Sequence, residues 1–195
     1  MFPTIKPGFL EVYCGPMKSG KTREIINRVD KVQFLDGHEY IFFKPEVATR
    51  HEHIKSRFGE LSISCHKIPG DSPGDMLRLA RGKSLVVIDE AQFFDKRVVG
   101  IVDVLLEDGV NVVVSGLDLD FKGDPFGPMP LFLSKADKVV KLSAVCDVKG
   151  CSRRGSRTQR LVNGEPASRD DSLVRIDGEG EETYEVRCLH HHEVK

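Results

Sequence analysis

Residues 9–22 read FLEVYCGPMKSGKT, an apolar run closed by Gly15, then four residues, then Gly20-Lys21-Thr22. Gly15-Pro16-Met17-Lys18-Ser19-Gly20-Lys21-Thr22 matches G-x-x-x-x-G-K-[ST] between a strand pattern, Phe9 to Cys14, and a helix pattern, the setting that gives the motif meaning. In such a loop glycine lets the backbone curl until successive N–H groups converge on phosphate oxygens, and the helix N-terminus adds partial positive charge. Lys21 then reaches the β and γ phosphates of a nucleoside triphosphate, and Thr22 ligates Mg²⁺.

Outward from this loop, apolar runs alternate with helical patterns to about residue 142, which predicts a mostly parallel sheet with crossover helices. Ile25, Ile26, Val29 and Val32 recur at helical spacing over Lys21 to Leu35, and Gly37 stops that helix. Tyr40 to Phe43 reads as a buried strand, and the polar stretch 44–60 as an irregular loop. Ser72-Pro73-Gly74-Asp75 reads as a capping box that opens a short helix, Pro73 to Arg81, before Gly82. Residues 84–89, SLVVID, form a central strand; Lys96 to Asp108 is an amphipathic helix, and VNVVVSG returns to the sheet.

The balance of 29 basic and 30 acidic residues leaves a net charge of −1, which argues against a non-specific nucleic-acid or membrane-surface binder. No stretch approaches the ~20 apolar residues of a bilayer span, and no basic segment followed by a long apolar one opens the chain, so a cytoplasmic protein is expected. Five cysteines, an odd number, argue against a disulfide framework. We expect two units: an ATP-binding α/β domain over 1–142 and a smaller lobe over 143–195, where cysteines and basic residues (Lys149, Arg153, Arg154, Arg157, Arg160) concentrate.

The strand LVVID ends in Asp89, where a phosphate-loop protein needs a carboxylate for Mg²⁺, and Glu90 follows directly. Two adjacent carboxylates beside an anionic ligand repel each other, so the second needs a task, and general base is the natural one. The proton comes either from water, which gives an ATPase, or from a substrate hydroxyl, which gives a kinase.

GPMKSGKT, VIDEAQFF, GLDLDFKGDPFGPMPLFL, KLSAVC, SRTQRLVNGEPA and YEVRCLHHH follow one another along residues 9 to 192. In this order they resemble the blocks of the type II thymidine kinases, the tetrameric cellular and bacterial class. The resemblance implies a P-loop NTPase (RecA-like) parallel sheet with helices on both faces, plus a small zinc-containing lobe with a lasso-like loop. It implies transfer of the γ-phosphoryl group of ATP to the 5′-hydroxyl of thymidine, and of deoxyuridine, with Glu90 as proton acceptor. ATP and Mg²⁺ would be held by Gly15 to Thr22 and by Asp89, Glu90, Ala91 and Gln92, with Thr22 and Asp89 serving the metal.

The resemblance also sets Met17, Phe121, Phe126, Thr158, Val174, Ile176 and Tyr184 against the nucleoside. A flat pyrimidine suits apolar and aromatic walls, and Phe121 and Phe126 lie in a glycine- and proline-rich loop that offers them no helix or sheet face to fill. The covering loop would run from Ser168 to Tyr184, longer here than the family's usual block. Homotetramers and feedback inhibition by thymidine triphosphate are implied as well.

Cys146-x4-Cys151 and Cys188 supply thiolates for a closed structural zinc site. Among the consecutive His190, His191 and His192, the family's C-x-x-H spacing selects His191 as fourth ligand. The family usually has a two-residue gap in the first cysteine pair, and zinc sites accommodate the longer one. A metal joining the two ends of so small a lobe would supply stability that its core cannot. Cys14 and Cys65 read as buried apolar thiols.

Two other readings remain at this level. A helicase- or motor-type P-loop ATPase shares the Asp-Glu strand end, yet generally needs a larger chain. A zinc lobe recruiting nucleic acid through its basic stretch is the other; there the plain alternative is a solvated face.

Overall fold

The structure, a computed structural model, describes residues 7–31, 39–48, 53–55, 62–173 and 182–195. β1 (Leu10–Cys14) is buried from end to end and runs into the glycine-rich loop and α1 (Lys21–Asp30). β2 (Tyr40–Pro45) is followed by a 3-10 turn, Glu46–Ala48, and by β3 (His53–Lys55), β4 (Ser62–Ser64) and β5 (His66–Ile68). Then come α2 (Asp75–Leu79), β6 (Leu85–Ile88), a 3-10 turn Ala91–Phe93, α3 (Arg97–Glu107), β7 (Asn111–Gly116), α4 (Met129–Lys135) and β8 (Lys138–Lys141).

Six strands form one sheet in the order β5-β2-β6-β7-β1-β8, and every pairing in it is parallel. Side chains alternate across a strand, so each strand feeds both faces. On one face Leu10, Val12 and Cys14 of β1 join Val86, Ile88, Val112 and Val114 against α2, α3 and α4. On the other, Tyr13, Phe42, Val87 and Val113 pack with Ile25, Ile26 and Val29 of α1. Glu11 also faces α1; Arg28 and Lys138 satisfy this buried carboxylate at 2.7 and 3.2 Å.

Because the sheet is parallel, the C-terminal ends of β1, β6 and β7 meet at one edge, where α/β sheets bind ligands. β7 lies between β1 and β6; Cys14 stands level with Gly116, and Ile88 with Val114. The glycine-rich loop and Asp89 thus approach each other across one intervening strand.

Beyond β8 the strands are antiparallel. β9 (Ala144–Val145) pairs with β10 (Arg154–Gly155), and β11 (Arg157–Val162) lies between β12 (Glu165–Pro166) and β13 (Glu182–Arg187). Asn163 and Gly164, both at positive φ, make the tight turn from β11 to β12.

Several local expectations change. The capping box does not form: α2 begins only at Asp75, and Gly74 caps it without a side-chain bond. The Ser72 N–H instead turns back to the Pro69 carbonyl at 3.1 Å, and the Pro73 carbonyl takes the Met76 N–H at 3.1 Å, so the first turn is used up before the helix starts. The stretch 44–60 is not simply irregular, since β2 extends to Pro45 and β3 pairs with β4; three-residue strands are too short to leave an alternation in the sequence. α1 runs to Asp30 with Lys31 at its C-cap, and residues 32–35 of the expected Lys21 to Leu35 helix, Val32 among them, fall outside the described residues.

Candidate active site and metal cluster

Gly20, with φ 87°, stands at the N-terminus of α1, in the left-handed region that glycine tolerates. Its carbonyl accepts the Glu24 N–H at 3.0 Å, so the loop passes directly into the first helical turn. Ser19 Oγ donates to the Pro16 carbonyl at 2.8 Å and braces the loop internally. Lys21 is buried and folds back, its Nζ donating to the carbonyls of Gly15 at 3.1 Å and Pro16 at 2.7 Å. Burial pulls its pKa down, opposed by the negative charges of Glu90, Asp89 and Asp118. Among the described residues this lysine contacts two neutral carbonyls and no carboxylate, and a phosphate would provide an anionic partner. Thr22, at the second position of α1, is partly exposed.

Asp89 follows β6 and is buried. Its Oδ1 accepts the Glu90 N–H at 3.0 Å and the hydroxyl of Ser115 on β7. Among the described residues its buried Oδ2 meets no hydrogen-bond donor. Burial, reinforced by the charge of Glu90, pushes the Asp89 pKa up to about 6. An orphaned carboxylate oxygen at this depth fits a divalent cation, which would supply the missing positive partner.

Glu90 sits at φ 53°, ψ 40°, a conformation uncommon for any residue but glycine. The Gln92 amide donates to Glu90 Oε2 at 2.6 Å, and Gln92 Oε1 accepts the Leu117 N–H at 3.0 Å. Gln92 is itself buried, and Gly127 makes room for it: a Cβ there would lie 2.2 Å from the Gln92 carbonyl oxygen. Ala91, next in the chain, is buried in the core. The carboxylate is therefore held by Gln92, which is itself fixed to the exit of the neighbouring strand.

Phe121 and Phe126 are both buried but have different neighbours. Phe126 meets Phe93 edge to face, with ring centroids 5.4 Å apart. Phe121 carries the guanidinium of Arg160 4.7 Å from its ring centre, a cation–π contact. Arg160 is fully buried, with Nε 3.1 Å from Glu182 Oε1, Nη2 3.8 Å from Asp171 and Nη1 donating to the Ser172 carbonyl at 2.6 Å. It leaves the basic stretch and belongs to the core: its position on the central strand of an antiparallel sheet, not its charge, decides its place. Tyr184 stands opposite Arg160 across β11 and β13, and its hydroxyl reaches Glu182 at 3.3 Å.

Met17 is half-buried, and its N–H donates to Thr158 Oγ1 at 3.1 Å, so two of the expected nucleoside residues meet through the phosphate loop. Val174 and Ile176 lie outside the described residues.

Cys146, Cys151, Cys188 and His191 form a cluster whose ligand atoms all lie within 4.8 Å of one another. His191 Nδ1 stands 3.5 Å from Cys146 Sγ and 3.6 Å from Cys188 Sγ. A tetrahedral zinc with ordinary Zn–S and Zn–N bonds spaces a sulfur and a nitrogen about 3.5 Å apart, so this donor set fits that ion. His190 is exposed, and His192 Nε2 pairs with the Phe121 carbonyl at 2.8 Å, so His191 is the histidine that joins the thiols. No disulfide joins the five cysteines; Cys14 is buried, and burial lifts its thiol to about 11, the behaviour of an apolar filler, whereas Cys65, expected to be buried as well, is only partly so.

Sequence reading passed over three residues that the fold brings to the site. Ser115 orients Asp89; Asp118 is buried just past β7, where Lys141 of β8 approaches it at 2.8 Å; Asp147 is bound to Lys18 at 2.9 Å. The aspartate directly beyond a strand end in GLDLD was the one legible signal, while the other two depend on pairings distant in sequence.

Among the described residues no helix is long and apolar enough to cross a membrane. The family model described as thymidine kinase matches residues 8–192. A thymidine kinase of Coprothermobacter proteolyticus is 43% identical over 187 residues, covering 96% of this chain and 91% of that protein.

Proposed function

The chain belongs to the thymidine kinase family and is a kinase, a phosphoryl-transferring enzyme; from that premise we propose that it moves the γ-phosphoryl group of ATP to the 5′-hydroxyl of thymidine, with Glu90 as general base. The observation that carries the proposal is the Glu90 carboxylate, fixed in left-handed backbone and tethered by Gln92 beside a glycine-rich loop and a buried aspartate.

In this reading the sheet is that of a P-loop NTPase. The backbone N–H groups of Gly15 to Thr22 receive the phosphates, and Lys21 exchanges its two carbonyl partners for phosphate oxygens. Thr22 and Asp89 would hold Mg²⁺, the latter through its unpaired Oδ2. When bound, that ion neutralises charge on the phosphates. Glu90 accepts the proton of the 5′-hydroxyl as its oxygen attacks, and Gln92 keeps the carboxylate aimed.

Phe121, Phe126, Met17 and Tyr184 would wall the nucleoside, and the covering loop from Ser168 to Tyr184, including Val174 and Ile176, would close it. Zinc in the Cys3His cluster would join Cys146 and Cys151 to Cys188 and His191, cross-linking segments distant in sequence. The division into 1–142 and 143–195, a homotetramer, inhibition by thymidine triphosphate, use of deoxyuridine and a cytoplasmic setting complete the reading and rest on resemblance to the family.

The family match favours the kinase over a motor-type ATPase. Glu90→Gln tests the assignment. It removes the base while leaving the phosphate loop intact, so turnover should fall by at least ~100-fold with ATP still bound. Undiminished turnover would remove Glu90 from its role.

A further inference from the structure

Two adjacent residues of the phosphate loop are held from outside it, by side chains of the cysteine-bearing lobe. Met17 donates its N–H to Thr158 Oγ1 at 3.1 Å, and Lys18 Nζ meets Asp147 Oδ2 at 2.9 Å. Thr158 and Asp147 share one anchor. Val186 of β13 stands opposite Thr158 in the β11–β13 register, and Asp147 is tied to Val186 twice. The Val186 N–H donates to Asp147 Oδ2 at 2.7 Å, and the Asp147 N–H donates to the Val186 carbonyl at 2.7 Å. Val186 thus lies between Thr158, its neighbour across the β11–β13 pairing, and Asp147, its hydrogen-bond partner, and these two side chains grip Met17 and Lys18.

The cluster residues flank Asp147 and Val186. Asp147 directly follows Cys146, and Cys188 lies two residues beyond Val186. A metal that draws Cys146 and Cys188 together therefore fixes both of these residues.

Lys18 needs such a hold. It adopts φ 58°, a conformation that is costly for a side chain with a Cβ. The Lys18 and Asp147 side chains are 36% and 34% exposed, so solvent screens the pair and its effect is moderate.

We propose that Asp147 is a positioning residue for ATP, pinning the phosphate loop through Lys18 and thereby coupling the metal-binding lobe to nucleotide affinity. The inference rests on the ATP-binding reading above, and the test separates the two. The dissociation constant of Mg-ATP is measured at equilibrium, without nucleoside, by displacement of a fluorescent ATP analogue from the zinc-loaded protein. Asp147→Asn keeps an acceptor for the Val186 N–H but removes the charge that holds Lys18. It should weaken ATP about threefold, with thymidine KM and zinc content unchanged.

In a Lys18→Gly background, where glycine adopts positive φ unaided and no ammonium remains, Asp147→Asn should add no further loss. Chelating the metal should likewise weaken ATP more in the unmutated protein than in Lys18→Gly. If Asp147→Asn leaves ATP affinity unchanged, or weakens it equally in both backgrounds, the positioning role is wrong while the kinase reading stands. Failure of the unmutated protein to bind ATP at all would overturn both.

Discussion

The Gln92 side-chain amide donates to Glu90 Oε2 at 2.6 Å while its Oε1 accepts the Leu117 N–H at 3.0 Å, so one buried amide links the proposed base to the exit of β7. Gln92→Leu keeps the volume roughly and removes both bonds. Freed from its tether, Glu90 samples orientations in which it misses the acceptor hydroxyl, and small misplacements are expensive in rate. Turnover should drop roughly 10- to 100-fold with ATP affinity little changed. Steady-state kinetics at saturating ATP checks this; unchanged turnover would mean that backbone geometry alone orients Glu90.

Asp89 gives a pH-dependent prediction. Its pKa in the folded chain is pushed up to about 6, above the ordinary aspartate value, by burial and then by Glu90. Between these values the folded protein binds more protons than the unfolded chain, so this group's contribution to stability falls as pH rises through the window. The ligand-free protein should lose stability from about pH 4 to about pH 6 through this group. Asp89→Asn should remove that component, raise the melting temperature of the ligand-free protein at pH 7 and abolish Mg²⁺-dependent turnover. Melting curves across pH decide it; a variant that melts lower at neutral pH contradicts the account of Asp89 as an uncompensated buried charge.

Much of this site was legible because its chemistry is carried by local motifs. The strand-loop-helix around Gly15 to Thr22 and the buried strand before Asp89 follow from apolar runs and glycine placement, and both stand where the sequence set them. β8 was not legible: Lys-Val-Val-Lys at a sheet edge has no long apolar run, and Leu10 to Cys14 supplies its pairing from far away in sequence. The burial of Arg160 was not legible within its basic stretch, because it depends on partners, Glu182 and Phe121, that only the fold assembles. Capping at Ser72 failed for the opposite reason, since a preceding turn had already claimed the local backbone.

The buried Arg160 connects the Phe121 wall to β13 and, through the Ser172 carbonyl, to the proposed covering loop. Arg160→Ala leaves a cavity and removes the buried guanidinium that pairs with Glu182 and lies over Phe121. Removal of one member of a buried charge pair costs about 3 kcal/mol or more. Denaturant unfolding should register that loss, and any protein that remains folded should show a raised thymidine KM with ATP KM nearly unaltered. A variant as stable as the parent would contradict the coupling.

The metal cluster predicts one zinc per chain on elemental analysis, held by Cys146, Cys151, Cys188 and His191. Cys188→Ser should lower bound zinc sharply and reduce the melting temperature, as chelation of the parent protein should. His190→Ala should retain the metal because His190 is exposed and outside the cluster. Full loss of zinc in His190→Ala, with retention in His191→Ala, would reverse the ligand assignment.

The central claim is phosphoryl transfer to a nucleoside, and mass analysis of products tests it most directly. Incubation with Mg-ATP and a panel of nucleosides should yield ADP together with thymidine monophosphate in equal amounts, with negligible ADP when nucleoside is omitted. Release of ADP and inorganic phosphate at the same rate with or without thymidine, and no nucleoside monophosphate, would contradict it.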